Sequence, residues 1–251
     1  MTQPNAAFAD QTLMPPHTAS APRAVFAIAA ALLVLCAACA TPRGDTRHPF
    51  TDTGALTTTA GTSWTTLEDG ALEVLPGAGN LLTTAEFGDA HIELEFWCPS
   101  MDRALGIDRG NSGVYVQGRY EVQVLDSFDM PIELNSCGAI YQISAPRVNA
   151  STPPETWQSY VIDFTAARFN DMGQVTANPR MTVWQNGIQI QDDVEMPAPT
   201  PGGLGADVVE RGPLMLQDHS QLVRYRNLSI TTPNEDPFTV GFSFGAGVLV
   251  D

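Results

Sequence analysis

From about residue 50 onward the chain alternates apolar and polar positions. In the run HIELEFW, Ile92, Leu94 and Phe96 share one face, and His91, Glu93, Glu95 and Trp97 share the other. That two-residue period belongs to a strand with one buried side. GVYVQ and YEVQVLD alternate in the same way around Gly118, with Tyr120, Val122 and Val124 opposite Glu121 and Gln123. QSYVIDF and MTVWQNGIQI follow, and Asn186-Gly187 in the latter is a hairpin signal because both residues accept positive φ. The stretch GPLMLQDHSQLVRYRNLSI predicts two neighbouring strands, at Leu214–Leu216 and Leu222–Val223. Clusters such as NSG, TPP and PTPGG punctuate the rest, and no amphipathic helix follows residue 40. Many short strands in one domain of this length predict an all-β sandwich of antiparallel sheets, plausible as a jelly roll.

The first residues break this pattern. Arg23 precedes the apolar run AVFAIAAALLVL, which is too short to span a bilayer comfortably, and the run leads into CAAC. This resembles a bacterial lipoprotein signal, with Cys39 as the lipidated first residue of the mature chain and an ordinary signal peptide as the plainer reading. Either reading sends the protein out of the cytoplasm, to the periplasm or to a lipid anchor in the outer membrane. The expected organisation is a signal at 1–38, a polar tether at 39–49, a β-sandwich at 50–232 and a tail at 233–251. Cys98 and Cys137 remain in the mature chain, either as a disulfide or as two buried thiols.

Charge narrows the partners. Of 251 residues, 43% are hydrophobic and 16% charged, so a packed core is expected. The net charge of −16 disfavours nucleic acid and anionic membrane surfaces as charge-driven partners. All 12 basic residues are arginine, which excludes a lysine Schiff base and a Walker-type phosphate loop.

Strand parity predicts where chemistry gathers. If Ile92, Leu94, Phe96, Val122 and Val124 face the core, then Glu93, Glu95, Glu121 and Gln123 lie on the other side of one layer. A curved sheet would let them converge with His219 and Arg226. His219 is the candidate acid or base, or else a turn histidine bonded to Asp218. Pairs among Glu95, Glu121 and Asp126 keep a two-carboxylate glycosidase open.

The segments FGDAHIELEF, GNSGVYVQGRYEVQVLDSF, GAIYQISAPRVNASTPPETWQSYVI, MTVWQNGIQI and GPLMLQDHSQLVRYRNLSI occur in that order. Together they resemble the 3-keto-disaccharide hydrolase domain family. The resemblance implies a concanavalin-like β-sandwich acting on glycosides whose sugar carries a ketone at C3. A ketone there acidifies the C2 hydrogen, so a base removes it and the group on C1 departs with the help of an acid. The expected catalytic set is His219, Glu121 and, for the enolate charge, Arg226. Asn111, Arg119, Gln123 and Asp218 are expected to bind hydroxyls, and Tyr141 or Trp157 to stack on the ring. The sequence assigns no certain cofactor; a divalent cation held by Glu95, Glu121, Gln123 and His219 is a further expectation. The alternative is a noncatalytic carbohydrate-binding module on the same fold.

Overall fold

The computed structural model describes residues 44–101, 106–234 and 239–240, the last two as backbone only. The signal region and Cys39 lie outside the described residues. Among these residues run β1 (Gly44–Arg47), β2 (Leu56–Thr58), β3 (Thr65–Thr66), β4 (Leu72–Glu73), β5 (Leu81–Phe87) and β6 (Ala90–Trp97). They continue with β7 (Ser112–Val116), β8 (Tyr120–Val124), β9 (Gln158–Thr165), β10 (Arg168–Phe169) and β11 (Val175–Ala177). The series ends with β12 (Arg180–Gln185), β13 (Ile188–Glu195), β14 (Gly212–Leu216), β15 (Arg224–Pro233) and β16 (Thr239–Val240).

Two antiparallel sheets pack face to face. The first is ordered β13-β12-β9-β6-β15-β4-β3, with β1 also on β15; the second is ordered β16-β5-β14-β7-β8, with β2 also on β5. β10 and β11 form a separate ribbon. The fold is therefore the antiparallel, jelly-roll-type sandwich that the alternation predicts. Ile92, Leu94 and Phe96 of the first sheet and Val114, Val122 and Val124 of the second are buried in one core. Tyr225 reaches across it and donates to Ser112 Oγ at 2.7 Å. Tyr160 does the same to the Gln123 carbonyl at 2.7 Å. Both buried phenols thus find an acceptor, as burial in an apolar layer demands. Cys98 and Cys137 are buried free thiols. Asn186 and Gly187 both take positive φ in the β12–β13 turn, as their sequence predicts.

Three expectations are corrected here. Leu222 and Val223 are not strand; β14 and β15 lie in different sheets, so the segment between them crosses from one layer to the other. Glu93 and Glu95 belong to the first sheet, and Glu121 and Gln123 to the second, so their shared parity puts them on opposite outer surfaces. Gly44–Arg47, expected as tether, pairs with Ile230–Pro233. In the tail, Thr239–Val240 adds an edge strand to β5.

Candidate active site

The site grows from the β7–β8 hairpin. Gln117 and Gly118 turn it with positive φ, and the register that follows sets Tyr115 opposite Glu121 and Gly113 opposite Gln123. Ser112, Val114 and Val116 point inward, which leaves Gly113, Tyr115, Glu121 and Gln123 on the outer face. An ordinary antiparallel sheet would leave that face wet. Here all ten residues of the two strands are buried.

Two segments cover it. Thr200–Leu204 arches over the hairpin: Thr200 Oγ1 accepts from the Glu121 amide at 2.9 Å, and Leu204 donates to the Gly118 carbonyl at 2.8 Å. Gly138–Tyr141 runs along the free edge of β8, where Tyr141 donates to the Glu121 carbonyl at 3.0 Å. The third wall comes from the end of β14. The Gln217 amide donates to the Gly113 carbonyl at 3.0 Å, and a turn pinned by Asp218 follows. Asp218 accepts from the amides of Gly77 (2.8 Å), Gly79 (3.1 Å) and Ser220 (2.9 Å), so its role is to hold the turn. The turn sets His219 at the cavity mouth, where Nδ1 meets Gln221 Oε1 at 3.2 Å. With the amide oxygen as acceptor, Nδ1 carries the proton and Nε2 is the basic nitrogen.

The open-mouthed cavity measures about 180 Å³ and is lined by Asn111, Tyr115, Glu121, Gln123, Tyr141, Gln217 and His219, with Ile107, Pro201 and Gly202. Drug-sized sites run to about 300–1,000 Å³, so this one suits a single sugar ring. Glu121 is 3% exposed. Its Oε2 lies 2.8 Å from the Tyr115 hydroxyl, which is also 2.9 Å from the Pro201 carbonyl oxygen. With its amide nitrogen turned inward, Gln123 donates to Glu121 Oε1 at 2.9 Å. A Cβ at residue 113 would stand 2.2 Å from Glu121 Oε1, so glycine is what lets the carboxyl lie there. Burial pushes the Glu121 carboxyl up to about 8, opposed only in part by Tyr115. The acid is therefore mainly neutral at pH 7.

Four expected members are elsewhere. Arg226 and Glu95 pair at 2.5 Å on the outer face of the first sheet, and the Arg226 guanidinium lies 4.0 Å over Trp157. Cross-strand pairing of β15 with β6 puts them there, which corrects the expected enolate clamp and stacking ring. Arg119 turns to the Asp207 carbonyl at 3.1 Å, away from the cavity. Of the expected cation ligands, Glu121, Gln123 and His219 line the cavity while Glu95 is on the opposite surface, and among the described residues no group of three or more His, Cys, Asp or Glu is placed to hold a metal. Asp126 is likewise committed, to Arg109 at 2.6 Å. Gln217, part of the polar cluster in GPLMLQDHSQLVRYRNLSI, does line the cavity, whereas Gly113 and Tyr115 lie outside the expected set, although counting back from the Gln117-Gly118 turn sets Tyr115 against Glu121.

Among solved structures, a Parabacteroides distasonis protein provisionally assigned as a glycosyl hydrolase is similar, with a TM-score of 0.66 and 31% identity over 75% of this chain and 83% of that one. A second protein of that organism, assigned in the same provisional way, has a TM-score of 0.53 and 16% identity over 72% of this chain and 90% of its own, which speaks to fold alone. No curated protein matches. Residues 48–231 match a family described as the 3-keto-alpha-glucoside-1,2-lyase-like domain. The chain, a carbohydrate-active β-sandwich, belongs to that 3-keto-alpha-glucoside-1,2-lyase-like family.

Proposed function

We propose that the protein cleaves glycosides whose sugar ring carries a ketone at C3, by elimination followed by hydration. One observation carries this reading. The cavity brings together one imidazole and one neutral carboxyl, and Glu121 is the only carboxyl group among its lining residues. A glycosidase of the usual kind needs two carboxyl groups flanking the bond, about 5–9.5 Å apart. An elimination needs one base and one acid, which His219 and Glu121 provide.

In this scheme His219 Nε2 takes the C2 hydrogen as a proton, and the electron pair delocalises onto the C3 oxygen. The enolate then collapses: the ketone re-forms, a C1–C2 double bond appears, and the C1–O bond breaks. Glu121 is the source of the proton that the departing oxygen receives. Water next adds its hydroxyl to C1, C2 recovers a proton from His219, and the remaining water proton restores Glu121. Asn111, 5% exposed and on the cavity wall, replaces Arg226 as the N–H donor assigned to the enolate oxygen. Tyr141 flanks the ring. The family description and the 31%-identical structure support a sugar substrate. We propose further, from residues 23–39 alone, an exported chain anchored at Cys39.

The test is mass spectrometry in deuterated buffer with paired glucosides, one oxidised at C3 and one not. Only the ketone should release its aglycone, with deuterium entering C2. His219→Ala should lower both readouts by about 10²–10⁴-fold, while Arg226→Ala should leave turnover within about threefold. Cleavage of the unoxidised glucoside at a comparable rate excludes elimination. Sugar binding without release from either glucoside supports a noncatalytic module.

A further inference from the structure

We propose that the Tyr115 hydroxyl hands the proton to the departing glycosidic oxygen, and that Glu121 reloads Tyr115 rather than touching that oxygen itself. This rests on the elimination reading above and specifies its acid.

Proton counting supplies the argument. The Tyr115 oxygen has three polar neighbours: Glu121 Oε2 at 2.8 Å, the Pro201 carbonyl at 2.9 Å and Gln217 Nε2 at 3.3 Å. A phenol donates once and accepts at its lone pairs. Pro201 only accepts, and the Gln217 nitrogen only donates. One phenol proton cannot serve both Glu121 and Pro201, so with Glu121 neutral every contact is met when Glu121 Oε2–H donates to Tyr115, Tyr115 donates to Pro201, and Gln217 donates to Tyr115. With the Gln123 amide turned so that its nitrogen faces Glu121, the other carboxyl oxygen accepts from it at 2.9 Å. Both oxygens of Glu121 are thus engaged by protein groups, and the exit for its proton is Tyr115, which lines the cavity.

A second observation puts substrate beside that exit. Gln217 Oε1 is buried and has no hydrogen-bond partner among the described residues, yet Gln217 is a wall of the cavity. A buried amide oxygen without a partner is costly, and a sugar hydroxyl would meet it. That hydroxyl would sit next to the Tyr115 oxygen, because the other end of the same amide touches it.

The transfer balances. Tyr115 swings from Pro201 to the glycosidic oxygen, its O–H bond breaks, and the proton bonds to that oxygen as it leaves with the C1–O electron pair. The Glu121 proton passes to Tyr115 in the same motion, so no phenolate forms and a carboxylate remains. The water that later adds across C1–C2 gives back the proton.

The experiment compares two 3-keto-glucosides, one with a 4-nitrophenyl and one with a methyl aglycone. Nitrophenolate departs without a proton; methoxide does not. Tyr115→Phe should cut methyl release by about 10²–10⁴-fold and nitrophenyl release by less than about fivefold, with C2 deuterium exchange retained. Glu121→Gln should show the same selective loss. Retained nitrophenyl turnover reports that each variant is folded, and a thermal melt checks it independently. Equal losses on both substrates, or no loss on the methyl compound, overturn the relay. If wild-type protein releases neither aglycone, the elimination reading fails and the relay falls with it.

Discussion

The two outer faces of the sandwich begin from the same sequence pattern and end in opposite chemistry. On the first sheet, His91, Glu93 and Glu95 alternate with core residues; on the second, Glu121 and Gln123 do. The first face stays partly wet. Its charges meet across strands, as in Arg226–Glu95 (2.5 Å) and Arg224–Glu73 (2.6 Å), with Arg224 also 4.1 Å over Trp97. The second face is roofed by residues 200–204, and among the described residues its carboxyl pairs with no cation. Water screens the first set, whose pairs are worth about 0–1 kcal/mol each. Desolvation rules the second and turns a carboxylate into an acid. The difference teaches that a polar residue on a strand acquires its function from what covers it.

The sharpest way to break this contrast is to remove the proton that burial keeps on Glu121. Glu121→Gln preserves shape and should lower release of an alkyl aglycone by about 10²–10⁴-fold. The pH dependence should follow. Turnover of the native protein should fall as pH rises through about 8, where the carboxyl ionises. Stability has the same sign. The folded state binds this proton more tightly than the unfolded chain, so the stabilisation is fully present below about 4.5 and is lost as pH rises through about 8. Urea midpoints of native protein and Glu121→Gln across pH 4–9 should diverge over that window, by an amount on the order of a few kcal/mol. Parallel curves would mean that burial does not raise the carboxyl above its unfolded value.

A smaller effect comes from disturbing the geometry and leaving the acid in place. Gly113→Ala puts a Cβ 2.2 Å from Glu121 Oε1 and 2.9 Å from the Tyr115 ring. Overpacking of this kind costs about 1–3 kcal/mol, and either the carboxyl or the ring must move. Urea denaturation should register that loss, and kcat should fall more than KM rises. Unchanged values for both would mean that the hairpin face has slack.

Much of this fold is legible in the sequence, and the reason is local. Ile92, Leu94 and Phe96 declare a half-buried strand, and Asn186-Gly187 declares a turn, because both signals sit within a few residues. Parity names the face but not the sheet. Arg226 and Glu121 each point outward from a strand, yet they stand on opposite surfaces because β15 and β8 belong to different layers. His219, Glu121, Gln123 and Asn111 do share the cavity, and their hydroxyl-handling side chains single them out. The roof does not announce itself: Thr200–Leu204 has no periodicity, and its contacts are to residues about 80 positions earlier. Tyr115 looks like one more aromatic in a strand until the hairpin register is counted.

The finest test separates the two faces by salt. His91 sits on the first sheet between Asp163 (2.6 Å) and Glu93 (3.1 Å), and the hydrogen bond to Asp163 is the main cause that raises its pKa above 6.5. Its stabilisation is therefore fully present below 6.5 and fades as pH rises through the raised value. His91→Gln should lower the urea midpoint at pH 6 by the equivalent of about 0.2–1 kcal/mol and have little effect at pH 9. Both acids are more than half exposed, at 54% and 57%, so 1 M salt should shrink this difference. The Glu121 divergence between pH 4 and 9 should survive the same salt, because no ionic atmosphere reaches a carboxyl that is 3% exposed. A His91 effect indifferent to salt, or a Glu121 effect abolished by it, would mean that the roof over the second sheet does not set the two faces apart.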